Sequence, residues 1–267
     1  MVKISQIVIL AGIVFLGGCH TKIKENKDEI YSRHLQKHIS LTIVSTPVPK
    51  NKSDFDLLVL SNGQDMKQAG IAQIVDSLYR KKLLSPLVIV GVHAFDPEQE
   101  YGVGGFTDGQ TKGSLAGKYA DFIVNELLPF VKKKAGVRSF NSVCIAGSGL
   151  AGISAIDIAW DNWQKIDKVG FLPDFSNSKS DVDFSLLAEK ISTSRKKPKL
   201  QFWLGQMDDT TSAKTTDSTS MKRLIDVLNI KGMGQGVNRI NVESNKNRFV
   251  PFKESFSQFL IWLNEVY

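Results

Sequence analysis

The stretch Val143-Cys144-Ile145-Ala146-Gly147-Ser148-Gly149-Leu150-Ala151-Gly152 constrains this chain more than any other. An apolar run ends in a cluster of small residues, and Ile153, Ala155, Ile156, Ile158 and Ala159 follow at helical spacing. That pattern predicts a buried strand turning sharply into a helix. Such a turn needs small residues two before and two after its apex, where the strand and helix backbones pass close together. Only the register centred on Gly149 supplies them, with Gly147 on one side and Ala151 on the other. Centring on Ser148 puts Leu150 at a flank, where its side chain is too large. A Ser just ahead of a helix also has an ordinary structural use, because its hydroxyl can bond nearby backbone amides.

The rest of the chain repeats the alternation of strand and helix. Residues 39–44 alternate apolar and polar, and 56–60, 86–92, 168–172 and 200–205 are short apolar runs of buried-strand type. Residues 239–243 read as a last strand. Helical spacing covers 71–83, 119–134, 218–228 and 252–266, the second despite Pro129. A Gly-rich loop runs from His93 to Gly117, and there is no internal repeat. Strands alternating with helices predict an α/β domain with one doubly wound, mostly parallel sheet and helices on both faces. Right-handed crossovers then gather the loops that follow the strands along one edge, where such folds build their sites.

The N-terminus has a different character. Lys3 precedes an apolar run from Ile7 to Leu16, which ends in Leu16-Gly17-Gly18-Cys19. A charged start, a short hydrophobic region and a small-residue cleavage site make residues 1–18 an export signal rather than a spanning helix. Leu-Gly-Gly-Cys also resembles the lipobox of bacterial lipoproteins, which implies a diacylglycerol on Cys19 and a membrane partner reached through that lipid. His20 rather than Asp follows the Cys, which suits the outer membrane in a Gram-negative cell. Residues 19–37 are polar and charged and are expected to be a tether, with the domain spanning 38–267. Cys144, the other of the two cysteines, falls inside an apolar strand, so no disulfide is expected and Cys144 reads as a core residue. About 250 mature residues are ample for one domain with a sizeable core. The formal charge of +7 is spread along the chain, with short clusters at 132–134 and 195–197 near helix ends. Nucleic acid is not an expected partner for an exported lipoprotein.

Five segments together carry a resemblance to a known family. They are Ser61-Asn62-Gly63-Gln64-Asp65-Met66, Val90-Gly91-Val92-His93-Ala94 with Glu100-Tyr101-Gly102, residues 119–130, residues 146–152, and residues 202–210. From Ile39 onward the chain resembles the putative esterase family of α/β-hydrolases, the esterase D and enterochelin esterase group. The resemblance implies an α/β-hydrolase-like fold and hydrolysis of carboxylic esters by Ser, acid and His in that chain order, with no cofactor and no metal. Carried over residue by residue, it places Gly149 at the nucleophile, Asp208 (with Asp209 beside it) at the acid, and Asn247 at the histidine. Gly has no side chain with which to attack a carbonyl, and Asn cannot take a proton at neutral pH.

Other parts of such a site need no particular side chain. The oxyanion donors would be the backbone amide of Leu150 and one from the 62–66 loop, with Gln64 and Asp65 beside it. His93, Tyr101, Phe106 and Phe249 fall in loops on the same edge, and the three aromatics either line such a pocket or simply hold the loops down. His93 is the one histidine that does not lie in or near the expected tether, and it reads as a structural residue at a strand end. The expected protein is therefore an exported, lipid-anchored relative of esterases, held at the bacterial envelope and without serine-hydrolase catalysis. It would bind a small ester- or carboxylate-like ligand or a protein partner. The alternatives are an active carboxylic ester hydrolase using Ser148 in a shifted elbow, with His93 or water as base, and a scaffold with no ligand.

Overall fold

The structure is a computed structural model, and it describes residues 23–47, 55–105, 113–173, 182–208, 215–243 and 249–265. The chain begins with two hairpin strands, β1 (Lys24–Ser32) and β2 (Lys37–Ser45). There follow β3 (Asp56–Ser61), a 3₁₀ turn (Gly63–Asp65), α1 (Met66–Ala69), α2 (Ile71–Arg80) and β4 (Leu87–Val92). Then come α3 (Pro97–Glu100), α4 (Ala116–Asp121), α5 (Leu128–Ala135), β5 (Val143–Ser148), α6 (Gly149–Asp161) and β6 (Lys168–Leu172). The last third holds α7 (Ser185–Thr193), β7 (Gln201–Asp208), α8 (Thr215–Ile230), β8 (Val237–Glu243) and α9 (Phe249–Leu263).

Among the described residues the strands form one 8-stranded sheet in the order β1-β2-β4-β3-β5-β6-β7-β8. From β3 onward neighbours pair in parallel, and β2 pairs antiparallel with both β1 and β4. Side chains alternate across this sheet. In β3, Leu57 and Val59 join one core with Phe122, Leu127, Ile156, Leu187 and Leu224, while Leu58 and Leu60 join another with Val75, Phe252, Phe256 and Phe259. Helices α4 to α8 therefore cover one face, and α1, α2 and α9 the other. The doubly wound α/β architecture expected from the alternating pattern is the one observed. Chain order reverses at β3, whose neighbours are β4 and β5, and the crevice beyond their carboxyl ends is where open α/β sheets bind ligands.

Two local expectations need correction. Residues 24–32, expected to lie in the polar tether, form strand β1 in full register with β2, from Lys24 opposite Ser45 to Ser32 opposite Lys37. Its side chains are exposed on most positions, so a strand at the sheet edge carries no apolar signal to distinguish it from a linker. The helix expected over 119–134 exists but changes pitch. Residues Phe122–Leu127 are π-helical, and Pro129 sits in the first turn of α5. The proline lacks an N–H and would break an α-helix here; the wider turn before it absorbs the misfit.

Candidate functional site

The turn from β5 into α6 is as sharp as its small residues require. Ser148, the last residue of β5, is extended at φ −114° and ψ 156°, and Gly149 follows at φ 58°. That left-handed conformation is open to Gly without the Cβ penalty. A Cβ on Gly147 would lie 2.7 Å from the carbonyl carbon of Ala151 and 3.0 Å from its Cβ, so strand and helix touch at these two positions. Ser148 is 2% exposed. By strand alternation it shares a face with Cys144 and Ala146, which pack in the α2 and α9 core. Its hydroxyl makes no capping bond to α6. Leu150 is half-buried in the first turn, where backbone N–H groups have no intrahelical partner.

The loop leaving β3 lies beside this turn. Asn62 adopts φ 61°, a left-handed conformation that Asn tolerates better than most residues. Gly63 passes directly over β4, where a Cβ would stand 2.3 Å from the carbonyl carbon of Gly91. The Asn62 carbonyl accepts from Asp65 N–H at 3.0 Å, and the Gly63 carbonyl accepts from Met66 N–H. The Asn62 N–H donates to the phenol oxygen of Tyr101 at 3.3 Å. Tyr101 stands edge-on to Tyr119, ring centres 5.3 Å apart, and the Tyr119 hydroxyl lies 3.4 Å from Ser61 Oγ. Burial pushes both phenols well above the ordinary tyrosine range, so they remain protonated hydrogen-bonding groups. Gln64 is exposed and Asp65 half-buried. The 3₁₀ turn and the first turn of α6 meet at this edge, and the early backbone N–H groups of such turns suit an oxygen with partial negative charge.

Tyr101, read as lining a pocket or holding its loop down, is 1% exposed and lies beneath the edge, where it supports Asn62. His93 stands off to one side. Its Nε2 lies 2.8 Å from Thr42 Oγ1 on β2, and its backbone N–H donates to Ser40. Burial lowers its pKa below the ordinary value, and Lys27 adds to that. Strands β4 and β5 flank β3, so His93 leaves the sheet about 9–10 Å from the β5 turn. Its ring is engaged with Thr42 of strand β2 rather than with a loop.

Asp208 is the last residue of β7, its backbone paired with Glu243 at the end of β8; its side chain and that of Phe249 are not described. Cys19, Phe106, Asp209 and Asn247 lie outside the described residues. Sequence reasoning missed Asp157, in the middle of α6. Its carboxylate, 4% exposed, accepts from Gly104 N–H at 2.8 Å and from Lys190 Nζ on α7 at 2.5 Å. Burial pushes this carboxyl up despite Lys190. Asp157 thereby ties the Gly-rich loop to two helices, and only the pairing of a mid-helix acid with a distant Lys could have hinted at it. A cleft of about 490 Å³ opens at the opposite edge of the sheet, among Asp56, Asp167, Lys168 and Glu265.

No curated protein matches the chain. Several solved structures are similar to it. An enterobactin esterase from Shigella flexneri, in the presence of 2,3-di-hydroxy-N-benzoyl-glycine, superposes with TM-score 0.67 at 18% identity, over 90% of this chain and 59% of that one. A ferulic acid esterase gives 0.69 at 14% identity, over 92% and 100%. An IroE-like serine hydrolase from Shewanella oneidensis gives 0.60 at 18% identity, over 90% and 78%. The chain thus spans 59% of the length of the Shigella enterobactin esterase, and at these identities the likeness establishes an α/β-hydrolase fold. The model of the Putative esterase family matches residues 32–263, from the end of β1 to the end of α9, and the chain belongs to that family.

Proposed function

We propose that this chain is a lipid-anchored member of its family that has lost serine-hydrolase chemistry and acts by binding. Its ligand is a small ester- or carboxylate-bearing molecule, or a protein partner, received at the edge formed by the 3₁₀ turn and the start of α6. The observation that carries this reading is Gly149. It holds the left-handed apex, φ 58°, of a turn whose flanks, Gly147 and Ala151, are in contact. A nucleophile presented from such a turn needs a side chain at the apex, and Gly149 has none. The neighbouring hydroxyl, Ser148, is 2% exposed and faces the α2 and α9 core, which disfavours the shifted elbow. Asn247 at the family's histidine position removes the base as well. What supports ligand binding is the meeting of the 3₁₀ turn and the start of α6, whose backbone N–H groups need neither side chain.

The Leu16-Gly17-Gly18-Cys19 motif supports the second half of the proposal, export and retention at the cell envelope by a diacylglycerol on Cys19. The first test compares nitrophenyl acetate hydrolysis by the wild type and Ser148→Ala. Equal rates at background agree with the proposal, and a wild-type rate abolished by Ser148→Ala establishes the shifted elbow instead. Calorimetric titration with 2,3-dihydroxy-N-benzoylglycine, the compound present with the Shigella esterase, tests the ligand class.

A further inference from the structure

We infer that the amino-terminal edge of the sheet lies against the bilayer and is held there by anionic lipid headgroups, with the Gly149 edge turned away. This inference rests on the lipid-anchor reading of Cys19, and it adds which face of the domain meets the membrane.

The first observation is topological. Strand β1 runs in the same direction as β4, because each pairs antiparallel with β2. Its first residue, Lys24, stands opposite Ser45, which in turn stands opposite Val88 at the start of β4. The chain therefore enters the domain at the amino-terminal edge of the sheet. Four residues lie between Cys19 and Lys24, so the two are five steps apart, and a fully extended chain of that length reaches at most about 18 Å. A lipid on Cys19 leaves this edge near the headgroups and cannot bring the opposite edge there without the chain crossing the length of the strands.

The second observation is the charge carried by that edge. Each connection from a helix back to a strand lands on it. Lys81 and Lys82 follow α2, Arg138 follows α5, and Arg195, Lys197 and Lys199 follow α7, all exposed. Lys165, Lys196 and Lys231, in the same connections, already bond protein oxygens. Across the connections α2–β4, α5–β5, α6–β6, α7–β7 and α8–β8 the single acidic residue is Asp167; Asp56, buried at the start of β3, and Glu265, after α9, join it on this edge. Among the described residues on the opposite edge, the connections leaving β3, β4 and β6 carry Asp65, Asp96 and Asp183 and neither Lys nor Arg, and the β1–β2 turn carries Arg33. Helix dipoles favour cations in the last turn of a helix, but that effect fades beyond it. Lys197 and Lys199 lie well past Thr193, the end of α7, so the dipole does not account for them. An anionic surface does, since basic residues close to one gain attraction that vanishes within a screening length.

The test uses the full-length processed lipoprotein on vesicles of phosphatidylcholine with or without phosphatidylglycerol. A thiol-reactive fluorophore is placed by Ser139→Cys, exposed in the α5–β5 connection, or by Phe95→Cys, 83% exposed beyond β4. Cys144 is buried, and burial pushes its thiol up, so it stays unlabelled. A nitroxide on the lipid headgroups quenches whichever fluorophore is near. The expected result is quenching at position 139 at least about twofold stronger than at position 95 on phosphatidylglycerol vesicles. The difference should collapse in about 1 M salt, where the screening length is about 3 Å, and in the triple variant Arg195→Glu, Lys197→Glu, Lys199→Glu. Protein that floats with both vesicle types but quenches equally at the two positions overturns the orientation and leaves the anchor intact. Failure to float with either type overturns the anchor and the orientation together. Floating on phosphatidylglycerol alone, with position 139 quenched, supports the basic face and contradicts the lipid on Cys19.

Discussion

The phenol oxygen of Tyr101 accepts a hydrogen bond from the backbone N–H of Asn62 at 3.3 Å, and both residues are buried at the carboxyl edge of the sheet. Tyr101 comes from the loop after β4 and Asn62 from the loop after β3, so the bond locks together two walls of the candidate site. Tyr101→Phe keeps the ring but leaves the amide unpartnered. The expected cost is about 1–2 kcal/mol, read as a shift in the urea midpoint. Tyr119→Phe loses the 3.4 Å contact with Ser61 and the hydroxyl contact with Tyr101 but leaves the Asn62 amide its partner, and should cost less. Equal midpoints for Tyr101→Phe and wild type would show that the Asn62 amide finds another partner.

The contact between strand and helix at the turn predicts a contrast between two glycines. A Cβ on Gly147 meets the backbone of Ala151 at 2.7 Å, and backbone cannot step aside as a side chain can. Gly147→Ala should destabilise by about 1–3 kcal/mol. Gly117, within α4, has open space around its missing Cβ. Gly117→Ala should be neutral or should stabilise by up to about 1 kcal/mol, because Ala loses less entropy on entering a helix. Denaturant melts of the pair check the sign of each effect.

His93 gives the fold a pH dependence of known sign. Burial holds its folded pKa below the ordinary 6.5, with Lys27 adding to the shift. Between the folded and unfolded values the unfolded chain binds more protons, so stability falls as pH drops through about 6.5 and levels off below the folded value. His93→Gln keeps a partner for Thr42 and does not titrate. Thermal melts between about pH 7.5 and pH 5.5 should show a smaller drop for His93→Gln than for wild type. Parallel curves would mean that His93 meets solvent more than its contact with Thr42 implies.

Much of this fold is legible in the sequence, and its exceptions have physical causes. Residues 168–172 were readable as a strand to the residue, because Val169-Gly170-Phe171-Leu172 is the short apolar run of a strand buried on both faces. The turn at Gly149 was readable because only small residues permit the contact between Gly147 and Ala151. Strand β1 was not readable, since Lys24, Glu25, Asn26 and Lys27 are exposed and their pairing is with a partner that any sequence can supply through its backbone. The part played by Tyr101 was hidden for a different reason. A Tyr in a Gly-rich loop can line a space or fill one, and which it does depends on where the β3 loop lies. The link from Asp157 to Gly104 and Lys190 joins three segments far apart in sequence and has no local signature.

Position 149 sets stability against chemistry. Ser at φ 58° carries a Cβ that Gly lacks, so Gly149→Ser should cost about 1–2 kcal/mol in denaturant melts. Alone it should restore little hydrolysis, because Asn247 supplies no base. Gly149→Ser with Asn247→His rebuilds Ser, Asp208 and His in the family's order, and a working triad member is worth roughly 10⁴ in rate. Even a poorly aligned triad should raise nitrophenyl acetate hydrolysis above both single variants. A double variant that folds without gaining turnover would show that the surrounding edge no longer fits an acyl transfer.

The absence of an activated serine is the claim on which the rest depends. Intact-mass measurement of the wild-type protein after exposure to a fluorophosphonate probe tests it without knowledge of any substrate, since the probe reports a serine activated by its surroundings. The account predicts an unmodified mass for the wild type, with Ser148 buried at 2% exposure and Gly149 at the apex of the turn. A stoichiometric adduct on the wild type that disappears in Ser148→Ala would contradict it and make the chain a working serine hydrolase.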